Sequence, residues 1–241
     1  MIDRAEPKIT YSTLIPDNPG FDEMCGRVAD LHAAREREFN FNSHIVHPRA
    51  DAAAFRADPR AVVSALSANA APIIILTIWA GEVRDALCAA GFFRDPVDWP
   101  AGPANTAIFS RPGQGAPCYL EIVDEEDPAI APNLVVSASD GHGLVGGAIS
   151  VLRGGAAWLA VMVVRAGSPP GSGTRLWNAL LAAYRCNGVR RLDLGTQTAG
   201  PFYSRCGMGI THLAIRDLRW RSGENGPVWT DLQMMTLAID P

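Results

Sequence analysis

Within this 241-residue chain, Gly171-Ser172-Gly173-Thr174-Arg175 is the segment whose residue types best suit chemistry. Two glycines let backbone amides turn toward a ligand, and a helix starting here adds free N–H groups and the positive end of its dipole. Such a turn is an anion site of the kind that holds a pyrophosphate, although a bare Gly-x-Gly is equally a tight strand-to-helix turn. Downstream stands Tyr203, either a proton donor or a ring packed against a sheet. Asp193 either faces an acceptor as a base or pairs with Arg190 and Arg191. His32, Glu36 and Glu38 share a charged helical segment, either part of an acceptor pocket or, as is usual for such a run, the wet face of the helix. His44-x-x-His47 has the spacing of two metal ligands but no partner cluster, so no metal is expected. His142 falls in a turn and reads as solvated, and Cys206, with no His or Asp partner, reads as a packed thiol.

The elements that would position these residues follow from periodicity. Lys8–Ile15 alternates as a strand, and Phe21–Phe39 carries Met24, Val28 and Leu31 at helical spacing. Asp58 and Pro59 open a helix at Arg60–Asn69, Pro72–Trp79 suits a buried parallel strand, Gly81–Ala90 is a short helix, and Asn105–Arg111 a strand. After Pro112-Gly113-Gln114-Gly115, hairpin signals join Leu134–Ser139, Leu144–Leu152 and Ala157–Val164. A Gly/Pro loop leads to a helix over Thr174–Cys186, which Asn187-Gly188 ends. Val189–Leu194 is a strand, Ala199–Cys206 a short helix, and His212–Trp220 and Trp229–Ile239 are closing strands. Setting Pro72 on Gly188 lays strand on strand and Gly91 on Gly207, a faint internal repeat that chance could also produce.

Composition narrows the function classes. A net charge of -4 gives no phosphate-coating surface, which argues against nucleic acid. Five widely spaced cysteines without a Cys-x-x-Cys pair argue against a disulfide framework and for a reducing, cytoplasmic compartment. No apolar run is long enough for a bilayer, so no membrane partner is expected, and nothing in the sequence fixes the oligomeric state.

From Gly171 to Met208 the sequence resembles the GNAT superfamily of acyl-CoA-dependent acyltransferases. The shared features are the Gly171-Ser172-Gly173 loop, the helix to Gly188, the following strand, and Phe202-Tyr203-Ser204-Arg205-Cys206-Gly207-Met208. The resemblance implies an α/β fold with a mixed, splayed sheet flanked by helices. With the repeat, it implies two tandem units: a degenerate one over residues 1–115 and a working one over 116–241. It also implies acyl-CoA or acetyl-CoA as cosubstrate, a small-molecule amine as acceptor, and Tyr203 as the acid that protonates the departing thiolate. The backbone of Met162, Val163 and Val164 would hold the thioester, and Gly171, Ser172, Gly173, Thr174 and Arg175 the phosphates.

One departure bears on the donor. Ser168 stands where the family usually has Arg or Gln, and Pro169 and Pro170 remove two N–H donors. A carrier-protein phosphopantetheine, presenting a single phosphodiester, is therefore an alternative donor. An acyl carrier protein would then be a partner, with Arg190, Arg191, Arg216, Arg219 and Arg221 as a possible docking cluster. A non-catalytic acyl-CoA-binding module is the reading from another class.

Overall fold

The computed structural model describes residues 8–38, 55, 57–68, 70–77, 79–94, 107–114, 118–122, 131–223 and 226–240. In chain order the elements are β1 (Thr10–Leu14), α1 (Phe21–Glu38), α2 (Pro59–Ser67), β2 (Ile73–Thr77), α3 (Ala80–Ala89), β3 (Phe93–Arg94), β4 (Ala107–Arg111) and β5 (Cys118–Ile122). Then follow β6 (Leu134–Asp140), β7 (Gly143–Arg153), β8 (Ala156–Val164), α4 (Ser172–Cys186), β9 (Arg191–Thr196), α5 (Gly200–Arg205), β10 (Gly209–Gly223) and β11 (Gly226–Ala238). The fold is a mixed α/β one.

A seven-stranded sheet runs β1-β6-β7-β8-β9-β11-β10. Its hairpins form where local chemistry allows sharp reversal. Between β7 and β8, Gly154 and Gly155 both take positive φ (55° and 80°), the backbone of a tight primed turn. Between β6 and β7, Asp140 Oδ1 accepts the His142 N–H at 2.7 Å, which closes the turn before Gly143. Alternate residues of the sheet face opposite helices. Val135, Ile149 and Val163 pack with Phe21 and Val28 of α1. Leu134, Val136, Ala148 and Leu159 pack with Leu176, Trp177, Leu180 and Tyr184 of α4.

A second, four-stranded sheet has the order β3-β4-β2-β5. Phe55, Val63, Ile73, Ile75, Trp79, Val83, Leu87, Phe92 and Phe109 form its core. Asp58 caps α2 as expected, its Oδ1 accepting the Ala61 N–H at 3.0 Å. β2 is not a purely parallel strand: it pairs parallel with β5 and antiparallel with β4.

Sheet membership crosses the expected division at 115/116 in both directions. β1, from the N-terminal segment, pairs with β6. β5, from beyond the boundary, pairs with β2. Along the chain, the four-stranded sheet thus falls between α1 and β6. The repeat does have local counterparts. Gly91 and Gly207 both take positive φ. Phe92 N–H donates to Leu87 O, as Met208 N–H does to Tyr203 O, both at 3.0 Å. However, α4 ends in the same pattern, with Val189 N–H on Tyr184 O after Gly188. The motif belongs to helix ends generally.

Candidate active site at the splayed strands

β8 and β9 run parallel and pair only at Ala156–Arg191, Ala157–Leu192 and Trp158–Asp193. Beyond Trp158 they diverge, while β7 remains paired to β8 as far as Val164. Arg165 N–H donates to Val145 O on the β7 side at 2.7 Å. Successive N–H groups of a strand point in opposite directions, so Val163 also donates toward β7. By the same alternation, the N–H groups of Met162 and Val164 face the gap.

A cavity of about 480 Å³ occupies that gap. Leu159–Val164 line one wall, Leu194, Gly195 and Thr196 another, and Gln197, Thr198, Ala199 and Tyr203 the α5 side. His32 and Arg35 of α1 and Leu232 of β11 complete it. The three β8 residues predicted to hold a thioester, Met162, Val163 and Val164, are therefore together in the wall, with Tyr203 in the same cavity.

Tyr203 is held by both its element and its neighbours. Ala199 N–H donates to Thr196 Oγ1 at 3.1 Å, tying the start of α5 to the end of β9. The Tyr203 ring lies 5.5 Å from Trp177 and 5.2 Å from Phe202, centroid to centroid. Burial, with a smaller contribution from Cys206, pushes its phenol up to about 12. At neutral pH it is a proton donor and not a base.

The glycine loop is built as a helix start, though with fewer open donors than its sequence offers. Gly171 takes φ 78° as the N-cap of α4. The Ser172 N–H and hydroxyl both turn back onto Pro169 O, at 3.2 and 2.6 Å, so that amide is engaged inside the loop. Gly173 and Thr174, the second and third helical residues, have no helical partner for their N–H groups. Arg175 N–H bonds Gly171 O at 3.0 Å, and its guanidinium donates to Ser172 Oγ at 3.3 Å, which lays a positive charge over the helix start. None of the residues 171–175 lines the cavity. The loop adjoins it through Val164: a methyl at Gly173 would sit 3.9 Å from Val164 Cγ2.

Asp193 lies apart from the cavity lining. It lies opposite Trp158, where β8 and β9 are still paired, and does not line the cavity. Arg191 Nε donates to its Oδ1 at 3.0 Å and sits 2.9 Å from Oδ2, which has no hydrogen-bond partner of its own among the described residues. The ion pair open at the sequence level is the one formed, and Asp193 is corrected to a buried, paired carboxylate.

His32, open at the sequence level between a pocket and a wet face, lines the cavity, and Arg35 with it. The signal was in the helical period, since Phe21, Val28, His32 and Arg35 fall on one stripe of α1. Side chains of Glu36 and Glu38, and His44 and His47 altogether, lie outside what is described. Among the described residues, no three His, Cys, Asp or Glu side chains come together as a metal site. Nor is any helix of those residues long and apolar enough to cross a membrane.

No family model matches the sequence, and no curated protein matches it. Solved structures do. Acetyltransferases are among them. The ribosomal-protein-S18-alanine N-acetyltransferase from Escherichia coli is similar over 44% of this chain and 69% of its own, at 19% identity and a TM-score of 0.38. A Bacillus subtilis acetyltransferase in complex with CoA is similar over 45% of this chain and 78% of its own, at 19% identity and a TM-score of 0.38. An aminoglycoside 6'-N-acetyltransferase complexed with coenzyme A is similar over 45% and 73%, at 21% identity and a TM-score of 0.36.

Proposed function

We propose that this chain transfers an acyl group from a pantetheine thioester to an amine, as a GNAT-type N-acyltransferase. The observation that carries the reading is the 480 Å³ cavity in the β8–β9 splay, with outward-facing amides on one wall and Tyr203 on another. Its volume is ordinary for a small-molecule site, within roughly 300–1,000 Å³.

In this reading the pantetheine arm of the donor lies along β8. The Met162 or Val164 N–H receives the negative charge that develops on the thioester oxygen as the amine attacks. The new bond is C–N and the broken bond is C–S. The amine's proton leaves to His32, directly or through water, because His32 is the side chain of general-base type that lines the cavity. The departing sulfur takes a hydrogen bond, then a proton, from Tyr203, which solvent reprotonates. A phenol raised to about 12 is a weak acid toward a thiolate, so full transfer is uphill. The early contribution of Tyr203 is therefore the hydrogen bond itself.

A second reading, a carrier-protein phosphopantetheine as donor, is favoured by one observation. Pro169 and Pro170 have no N–H, and the Ser172 amide is turned onto Pro169 O. Few donors remain for a pyrophosphate, and a single phosphodiester asks for fewer. Arg191, one of the arginines considered for docking a carrier, is held by Asp193. The side chains of Arg216, Arg219 and Arg221 lie outside the description.

The test is free-thiol release from one acyl group carried on CoA, on phosphopantetheine and on a carrier protein, with and without an amine. Amine-dependent release is expected, with CoA ahead of phosphopantetheine by less than about a hundredfold. A larger preference, beyond about 2.7 kcal/mol, removes the carrier reading. No amine-dependent release from any donor reduces the chain to a binding module.

A further inference from the structure

The chain leaving β8 reaches α4 through residues 165–171, and little of that stretch is slack. Its first half is a turn: Ser168 N–H donates to Arg165 O at 3.2 Å, with Gly167 at φ 72°. Its second half is the cap of α4, in which Ser172 turns back onto Pro169 O. Between them, Pro169 and Pro170 hold φ fixed at two successive positions. A segment built this way moves as a unit. Whatever anchors its near end therefore sets where the Gly173 and Thr174 amides stand.

That anchor is the β6–β7 hairpin. The pairing of β6 with β7 shifts register between Ala138 and Ser139 and passes over Val145. The Val145 carbonyl accepts Arg165 N–H at 2.7 Å and, more loosely, the Ser168 hydroxyl at 3.5 Å. The Arg165 side chain reaches further, across β7 to the end of β6, where Nη2 donates to Asp140 Oδ2 at 2.9 Å. The Asp140 side chain is 3% exposed, and its other oxygen holds the His142 N–H, so both oxygens are in use. A charged hydrogen bond to a carboxylate sheltered and fixed by its own turn is stronger and more directional than an exposed pair.

Resting on the acyl-transfer reading above, we infer that Asp140 and Arg165 are positioning residues for the donor. Their ion pair holds the glycine loop in register with the β8 wall, so that a single CoA meets both. Neither residue lines the cavity, and they act through the loop. Donors then feel the pair in proportion to their use of the loop. CoA, with its phosphates there, depends on the pair; pantetheine, which has the arm and no phosphate, does not.

The experiment uses the whole chain, with acetyl-CoA and acetyl-pantetheine as donors and CoA titration as binding without turnover. In Asp140→Asn the amide oxygen still accepts the His142 N–H and keeps the turn, while an NH2 group replaces the charge opposite Arg165. This variant should raise the CoA Kd and the acetyl-CoA KM about tenfold with kcat nearly unchanged, the pattern of lost uniform binding. Its kcat/KM with acetyl-pantetheine should not change. Arg165→Gln should do the same and Arg165→Lys should recover part of the loss. The double variant Asp140→Asn/Arg165→Gln should be no worse than either single one, because each removes the same contact. It also leaves no charge unpartnered, so it remains testable should Arg165→Gln not fold. Melting temperatures check that each variant is folded. An unchanged CoA Kd in a folded Asp140→Asn overturns the inference. An equal loss with acetyl-pantetheine also overturns it, since the pair is then a plain stability contact. So does a loss confined to Arg165→Gln, which would place that guanidinium on the donor itself. A wild type that binds no CoA removes the acyl-transfer reading and the positioning role with it. CoA binding without acylation of any amine removes only the chemistry of that reading, and the Kd comparison still decides the role of the pair.

Discussion

Tyr184 and Tyr203 are both buried in the core beneath α4, yet only Tyr203 borders the cavity. The Tyr184 hydroxyl is paired with Ser150 Oγ at 2.6 Å, a buried structural contact. Tyr203→Phe is expected to lower kcat at least about tenfold with donor affinity nearly unchanged, because the hydroxyl acts mainly as sulfur departs. Steady-state kinetics beside direct CoA titration checks this, and an unaltered kcat makes Tyr203 a packing residue. The same burial has a pH consequence. The folded state holds Tyr203's proton more tightly than the unfolded chain, up to about 12 against an ordinary 10. Its contribution to stability is whole below pH 10 and is lost as pH rises toward 12. Melting curves from pH 9 to 12 should fall more steeply for wild type than for Tyr203→Phe. At this scale, sequence located Tyr203 by its Phe-Tyr context and left Asp193 between two roles that only strand pairing separates. His32 was left between a pocket and a wet face because a charged helical segment usually faces water, and only the stripe it shares with Val28 separates the two.

Between elements, the contact that positions His32 and Arg35 is α1 on β7, and Gly147 permits it. A Cβ there would collide with the Val28 side chain, which is fully buried and too stiff to turn aside. Gly147→Ala should destabilise the fold by about 1–3 kcal/mol, the usual cost of overpacking. Because the collision lifts α1, acceptor kcat/KM should fall by more than donor affinity. Denaturant unfolding and paired titrations measure the two effects; an unchanged stability would mean that α1 is not seated as described. Most elements were readable because their ends are local, as with Gly154-Gly155 and Asp140–Gly143. The start of β9 was read two residues early, since Val189 spends its N–H on the cap of α4. β3 and β5 went unread. β3 is two residues long, and β5, five residues long, pairs among the described residues with β2 alone, so neither carries a strong local pattern.

Over the whole molecule, the fold class and the splay were legible, but the plan of the chain was not. Periodicity reports faces and ends within an element. It is silent on which strands meet, and here β1 pairs with β6 across more than a hundred residues of chain. The division expected at 115/116 is crossed by that pairing and by β5 on β2. The nested four-stranded sheet does share an arrangement with part of the larger one: β2 has a parallel and an antiparallel neighbour, as β9 does. Whether that reflects a repeat does not affect the site, because every cavity-lining residue comes from the seven-stranded sheet, α1, α5 or the segment between β9 and α5. The central claim is that a pantetheine thioester lies in the β8–β9 splay. A crystal structure of the chain with acyl-CoA, or with an unreactive thioether analogue, tests it most directly. The expected density runs from the Gly171–Thr174 loop into the cavity, with the carbonyl oxygen on the Met162 or Val164 N–H and sulfur within reach of Tyr203. Donor bound against the four-stranded sheet, or nowhere on a folded chain at saturating concentration, would contradict the account.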